Sequence, residues 1–146
     1  REMESYKNLI DENRAMGELD HPEDSVVNLK NVSHNITEYW WDGDNVMGKI
    51  EILPTPSGNI LKALIESGIT VGVSSRGMGS LKPVGEVQEV QDDFQLLCWD
   101  FVSTPSNPGS YMHLVKEGLD FSNSDNYLKV NAVITEILCS KGNCPI

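Results

Sequence analysis

Acyl transfer by a hydroxyl group needs three things within reach of one another: a serine, a base to take its proton, and amides to hold the oxyanion. The chain has three histidines, His21, His34 and His113, so a histidine base must be one of them. His21 stands out by its context, Asp20-His21-Pro22. A following proline keeps a residue out of helix interiors and holds it extended, which gives the imidazole a fixed origin. His34, within Val32-Ser33-His34-Asn35-Ile36, reads as a solvated or packed ring on a strand face, and His113 has no companion motif. For the hydroxyl, Ser74-Ser75-Arg76-Gly77 ends an apolar run and enters a glycine-rich segment. There a hydroxyl can project and the next amides can point inward. The same residues also make an ordinary turn, and they lack the spacing of a GxSxG nucleophile elbow.

Other chemistries fit less well. Glu18, Asp20 and His21 have the ligand types of a metal hydrolase but no second clustered histidine, so neither a metal nor a cofactor is expected. Cys98, Cys139 and Cys144 have no CxxC spacing, and an odd count is no disulfide framework. Free thiols are the simpler reading, with a Cys139–Cys144 bridge the lesser one, because disulfide geometry is strict.

The elements that must position these groups follow from periodicity. Met3, Tyr6, Leu9 and Ile10 recur at helical spacing and predict an amphipathic helix ending near Met16-Gly17. Val26 to Trp41 and Val46 to Leu53 are rich in β-branched and aromatic residues around Asp42-Gly43-Asp44-Asn45, which predicts a long hairpin with Trp40 and Trp41 packed on it. Thr55-Pro56-Ser57-Gly58 starts a helix that Gly68 closes. A strand from Ile69 to Ser75 should exit through a turn at Arg76-Gly77-Met78-Gly79-Ser80, followed by strands near 85–91 and 94–102. A short helix through Tyr111, Leu114 and Val115 and a last strand near Leu128 to Leu138 complete a mostly β, α+β fold.

With 146 residues there is room for one domain with a core of its own. A formal net charge of −11, with only 11 Lys and Arg, argues against nucleic acid, whose phosphates need a basic surface. No apolar run approaches the roughly 20 residues that span a bilayer, so no membrane partner is expected. The first residue is Arg1 and the first methionine is Met3, which reads as a fragment or a processed product.

Four motifs occur in order: Gly17-Glu18-Leu19-Asp20-His21-Pro22, Tyr39-Trp40-Trp41-Asp42-Gly43, Gly72 to Leu81 around Ser74-Ser75-Arg76-Gly77, and Trp99-Asp100-Phe101-Val102 with Pro105-Ser106 after it. Together they resemble the prohead core proteases of large tailed bacteriophages, a family similar in fold and mechanism to the herpesvirus maturational proteases. The resemblance runs from the first helix to at least Pro108. It implies a mostly antiparallel β-barrel with peripheral helices, in a single protease domain over 1–146 from which an N-terminal strand and a C-terminal tail are missing. It implies a serine endopeptidase that cleaves scaffold and capsid polypeptides after glutamate, and cleaves itself, inside the prohead in the bacterial host cytoplasm. A homo-oligomer is allowed.

Carried over residue by residue, the resemblance makes His21 the base. It makes Ser75 the nucleophile, through the Ser-x-Gly pattern of Ser75-Arg76-Gly77, with Ser74 the alternative. Asp100 is the third member, with Asp20 in reserve, and Arg76 and Gly77 give the oxyanion amides. Leu64-Ile65-Glu66 and Ile134-Thr135-Glu136 match the self-cleavage pattern. The acidic surface would attract basic scaffold segments. The competing reading is a non-catalytic capsid or tail component on a similar barrel, since one fold hosts many functions.

Overall fold

A computed structural model describes residues 1–107, 109–115, 131–134 and 136–137. Helix α1 spans Glu2–Asp11 and buries Met3 and Tyr6 on one stripe. Its first turn carries Glu2 and Glu4, which suit the positive end of the helix dipole. Glu2 also accepts the Leu96 amide at 3.2 Å, which ties the helix to the sheet beneath it. The helix stops earlier than the sequence predicts. No apolar residue continues the stripe after Ile10, and Asn13 takes a left-handed conformation (φ 57) that asparagine tolerates. The released chain, Met16–Glu18, forms strand β1.

Strands β2 (Val32–Asp42) and β3 (Asn45–Ile52) make the predicted hairpin, turning on Gly43-Asp44 with Gly43 at φ 61. Along β3, Val46, Gly48, Ile50 and Ile52 face inward in strict alternation. The hairpin begins at Val32 rather than Val26, because the Asn28 side chain accepts the Lys30 amide and its carbonyl accepts the Asn31 amide, a local turn that competes with a strand. Trp40 and Trp41 lie exposed on the outer half of the hairpin, contrary to their expected packing, where no second layer of the described residues covers them.

Helix α2 (Pro56–Glu66) starts as predicted: the Thr55 hydroxyl accepts the Gly58 amide at 3.0 Å, and Pro56 occupies the first turn where its missing N–H costs nothing. Its buried stripe, Leu61 and Ile65, packs into the core with Val73, Trp99 and Phe101. Strands β4 (Gly72–Met78), β5 (Leu81–Val84), β6 (Val87–Val90) and β7 (Gln95–Val102) follow. β4 pairs antiparallel with β7, from Gly72↔Val102 to Met78↔Gln95, with a bulge at Arg76/Gly77. The segment 76–78 is therefore strand, not turn. Its glycine makes room: a Cβ on Gly77 would stand 2.3 Å from the Phe94 ring.

The helix predicted through Tyr111 is instead strand β8 (Met112–Val115), paired with β9 (Asn131–Ile134). The free edge of β4 captures this segment, since Val73 donates to the Ser110 carbonyl at 2.8 Å and Met112 to the Val71 carbonyl at 3.1 Å. Strand β10 (Glu136–Ile137) joins β3, and both β9 and β10 fall in the predicted last strand.

The first sheet runs β1-β2-β3-β10 and the second is the β4-β7 pair. A parallel bridge Leu19↔Phe101 and an Asp20 N–H to Phe101 carbonyl bond of 2.8 Å connect them. The architecture is α+β with antiparallel ladders, but among the described residues the strands form four separate sheets and no closed barrel, unlike the expectation. No described helix is long and apolar enough to cross a membrane.

Candidate active site

β1 ends three residues before His21, and the backbone between them is clamped from both sides. Leu19 donates to the Asn31 carbonyl at 3.2 Å and Asp20 to the Phe101 carbonyl at 2.8 Å. Asp20 sits at φ 72, a region that a non-glycine residue enters only under constraint and that clusters at functional sites. This kink, with Pro22 after it, aims His21 at the end of β7. There its Nδ1 lies 3.0 Å from Asp100 Oδ2. A carboxylate only accepts, so Nδ1 carries the hydrogen and Nε2 keeps its lone pair for a proton from elsewhere. The ring is 38% exposed and lines an open cleft of about 460 Å³ with Pro22, Asn31, Val102 and Thr104.

Beneath the histidine the polar groups are wholly buried. Asp100 and Glu18 are 0% exposed and Arg76 is 5% exposed. Asp100 Oδ1 accepts the Glu18 amide at 2.9 Å, Arg76 Nη2 at 3.3 Å and the Cys98 thiol at 3.4 Å. Arg76 Nη2 also bonds Glu18 Oε2, Nη1 donates to the Asp24 carbonyl at 3.0 Å, and Nε lies 3.0 Å from Asp100 Oδ2 while donating to Cys98 Sγ at 3.2 Å. Burial alone would lower the guanidinium pKa, but its bonds to Glu18 and Cys98 and the charge of Asp100 outweigh this and push it up. Burial, reinforced by the Asp100 charge, raises the Cys98 thiol to about 12, so it stays protonated at neutral pH and is no competing nucleophile.

The β4–β7 register decides where the two serines sit. Ser74 pairs with Asp100 and Ser75 with Trp99. Directly paired residues share a face and neighbours alternate, so Ser74 lies on the face of Asp100 and Arg76, while Ser75 lies on the opposite face with Trp99. Ser74 is 5% exposed, and its Oγ is 3.5 Å from the hydroxyl of Ser106 in the Pro105-Ser106 motif. Of the expected residues, the structure thus brings together His21, Asp100 and the Arg76 side chain, with Ser74 rather than Ser75 on their face. Gly77 lies at the bulge of the ladder, and the Arg76 side chain is buried among acids instead of facing solvent.

Sequence reasoning passed over Glu18 as the counter-ion of Arg76, although it stands in the same motif as His21. Ser106 stands out in the sequence only as part of the Pro105-Ser106 motif, and Cys98 only as a free thiol. Of the two readings of His34, solvated or packed, the structure has the packed one: Nε2–H donates to the Trp99 carbonyl at 2.9 Å, and Nδ1 takes the Ser33 hydroxyl at 2.8 Å. Burial lowers its pKa to about 4 despite that carbonyl, so it is neutral at pH 7. The side chain of His113 lies outside the described residues. Among the described residues no group of three or more His, Cys, Asp or Glu side chains is arranged to hold a metal ion, and Glu18 is engaged with Arg76.

Comparison with known proteins converges on one group. A family model described as the prohead core protein serine protease matches residues 3–120. The chain is 35% identical over 103 residues to the prohead core protein protease of Enterobacteria phage T4, covering 68% of this chain and 49% of that protein. It therefore spans about half the length of this curated relative. The solved structure of the bacteriophage T4 capsid assembly protease, gp21, superposes with a TM-score of 0.64 at 32% identity, over 72% of this chain and 70% of that one.

Proposed function

Because the chain belongs to the prohead core protein serine protease family, we propose that it carries the catalytic centre of a serine endopeptidase, with Ser74 as nucleophile, His21 as general base and Asp100 as the group that orients His21. The observation that carries this reading is the pairing of Ser74 with Asp100 across the ladder, together with the 3.0 Å contact between Asp100 Oδ2 and His21 Nδ1. In the reaction Ser74 Oγ attacks the scissile carbonyl carbon as His21 Nε2 takes the hydroxyl proton. The imidazolium, held by the Asp100 carboxylate, then returns that proton to the leaving amine as the peptide C–N bond breaks. A water, deprotonated by the same Nε2, hydrolyses the acyl ester and restores the serine.

The oxyanion is met where the β4–β7 ladder shifts register. Leu97 of β7 is left out of the pairing between Arg76↔Cys98 and Gly77↔Leu96, and the amides of Arg76 and Gly77 flank that break, two and three residues from Ser74. Substrates are scaffold and capsid polypeptides inside the prohead, assembled in the bacterial host cytoplasm, with cleavage after glutamate. The net charge of −11 favours basic segments near the cleft. Self-cleavage after Glu66 requires the last turn of α2 to unwind, since Ile65 is buried in the core. The serine–imidazole chemistry is also that of the herpesvirus maturational proteases.

The test is mass spectrometry of a scaffold polypeptide incubated with the chain and its variants. Wild type and Ser75→Ala are expected to cut after glutamate, and Ser74→Ala and His21→Ala to leave the substrate whole. Cleavage that survives Ser74→Ala but not Ser75→Ala would overturn the assignment.

A further inference from the structure

Arg76 holds both oxygens of Asp100. Oδ1 accepts the Glu18 amide, Arg76 Nη2 and the Cys98 thiol, and Oδ2, which meets His21, also lies 3.0 Å from Arg76 Nε. Arg76 is the only buried cation among the described residues of this cluster, and it faces two buried carboxylates, Asp100 and Glu18. Glu18 Oε2 takes Nη2, and Glu18 Oε1 accepts no hydrogen bond from the described residues, so Glu18 leans on Arg76 alone. With His21 neutral, one guanidinium and two carboxylates leave the cluster with an excess negative charge. Protonation of His21 cancels it.

We propose that Glu18 and Arg76 are positioning residues that set how much of the Asp100 charge reaches His21. Arg76 fixes the carboxylate and Glu18 keeps Arg76 from neutralising it. Without Glu18 the guanidinium would answer Asp100 alone, and the imidazolium formed during acyl transfer would lose its counter-charge. Without Arg76 two buried carboxylates would draw a proton onto the histidine too readily, leaving less neutral base at working pH. The inference rests on the catalytic reading for its consequence, but its physical content is the titration of His21.

Other titratable groups lie on the His21 loop and on the elements packed against the cluster. Asp20, Glu23 and Asp24 lie on its own loop, and Asp24 offers Arg76 its carbonyl. Cys98 and the buried Tyr6 of α1 stay neutral, because burial raises the pKa of each. On β2, His34 is neutral and bonded to the Trp99 carbonyl.

The experiment follows the His21 ring proton by NMR against pH in the full chain carrying Ser74→Ala, with His21→Ala to assign the signal. Glu18→Gln should move the titration midpoint down by about one pH unit, and Arg76→Gln up by about as much, the size expected for one charge a few ångströms away in a partly screened site. Arg76→Lys, which keeps the charge, should restore the midpoint to near wild type. A midpoint unmoved by Glu18→Gln, or moved the same way by removal of either charge, overturns the proposal. If Arg76→Gln does not fold, Glu18→Gln and Arg76→Lys still decide it. The acid limb of kcat/KM in the Ser74-containing protein should follow the same directions. Peptide cleavage that persists with Ser74→Ala would refute the catalytic assignment while leaving the titration result standing.

Discussion

The two faces of the β4–β7 ladder are built from the same two strands and could hardly differ more. On one, Val73, Trp99 and Phe101 are almost fully buried against α1, α2 and the hairpin. On the other, Ser74, Arg76, Cys98 and Asp100 are buried just as deeply, but as a polar network. The apolar face removes surface from water and gains stability for it, and truncating its aromatics should cost about 3–5 kcal/mol. The polar face holds ions whose transfer out of water costs several kcal/mol each and is offset only by good geometry. A rigid apolar backing lets the network on the far side be held in place. A one-residue step along β4 carries a side chain from one regime to the other.

The sharpest way to break this comparison is to exchange the roles of the two serines. Ser74→Ala should lower kcat/KM by about ten-thousand-fold or more, the scale seen when a triad member is lost, while Ser75→Ala should change it only a few-fold. Comparable losses in both variants would mean that the two faces are not functionally distinct. Asp100→Asn should cost a similar factor, about ten-thousand-fold in kcat, by allowing the wrong His21 tautomer. A loss of ten-fold or less would show that Asp100 does not orient the base.

Stability measurements sharpen the same contrast. Arg76→Leu leaves Glu18 and Asp100 buried without their cation and should cost about 3–5 kcal/mol in urea unfolding. Its neutral removal would place the network in contact with water. His34, which spans the two sheets, should make the fold pH-sensitive. Its folded pKa, about 4, lies below the unfolded value near 6.5, so the unfolded chain binds the proton first as pH falls. The stability it contributes is full above pH 6.5 and declines between there and pH 4, by about 3 kcal/mol. The difference between wild type and His34→Leu across that range isolates it from the buried acids. At the small end, Trp41→Ala on the exposed outer hairpin should shift stability by no more than about 0.5 kcal/mol in the same assay.

How legible this was in the sequence varied with how local the cause is. Thr55-Pro56 and Gly43-Asp44 announce helix α2 and the hairpin turn because capping and turn chemistry lie within a few residues. The helix predicted through Tyr111 failed because the free edge of β4, nearly 40 positions earlier, decides that segment. Gly77 read as a turn residue because the ring that needs its open space, Phe94, is distant in sequence. In the proposed site, His21 and Asp100 are named by the motifs that carry the family resemblance. That Ser74 and not Ser75 shares the face of Asp100 depends on a pairing register that adjacent identical residues cannot reveal. Glu18 was hidden for a related reason: a buried acid is recognisable only beside its cation.

The most direct test of the central claim is covalent labelling with a fluorophosphonate, followed by peptide mapping. The account predicts one adduct, on Ser74, that disappears in His21→Ala and persists in Ser75→Ala. An adduct on Ser75, or none on either serine, would contradict it.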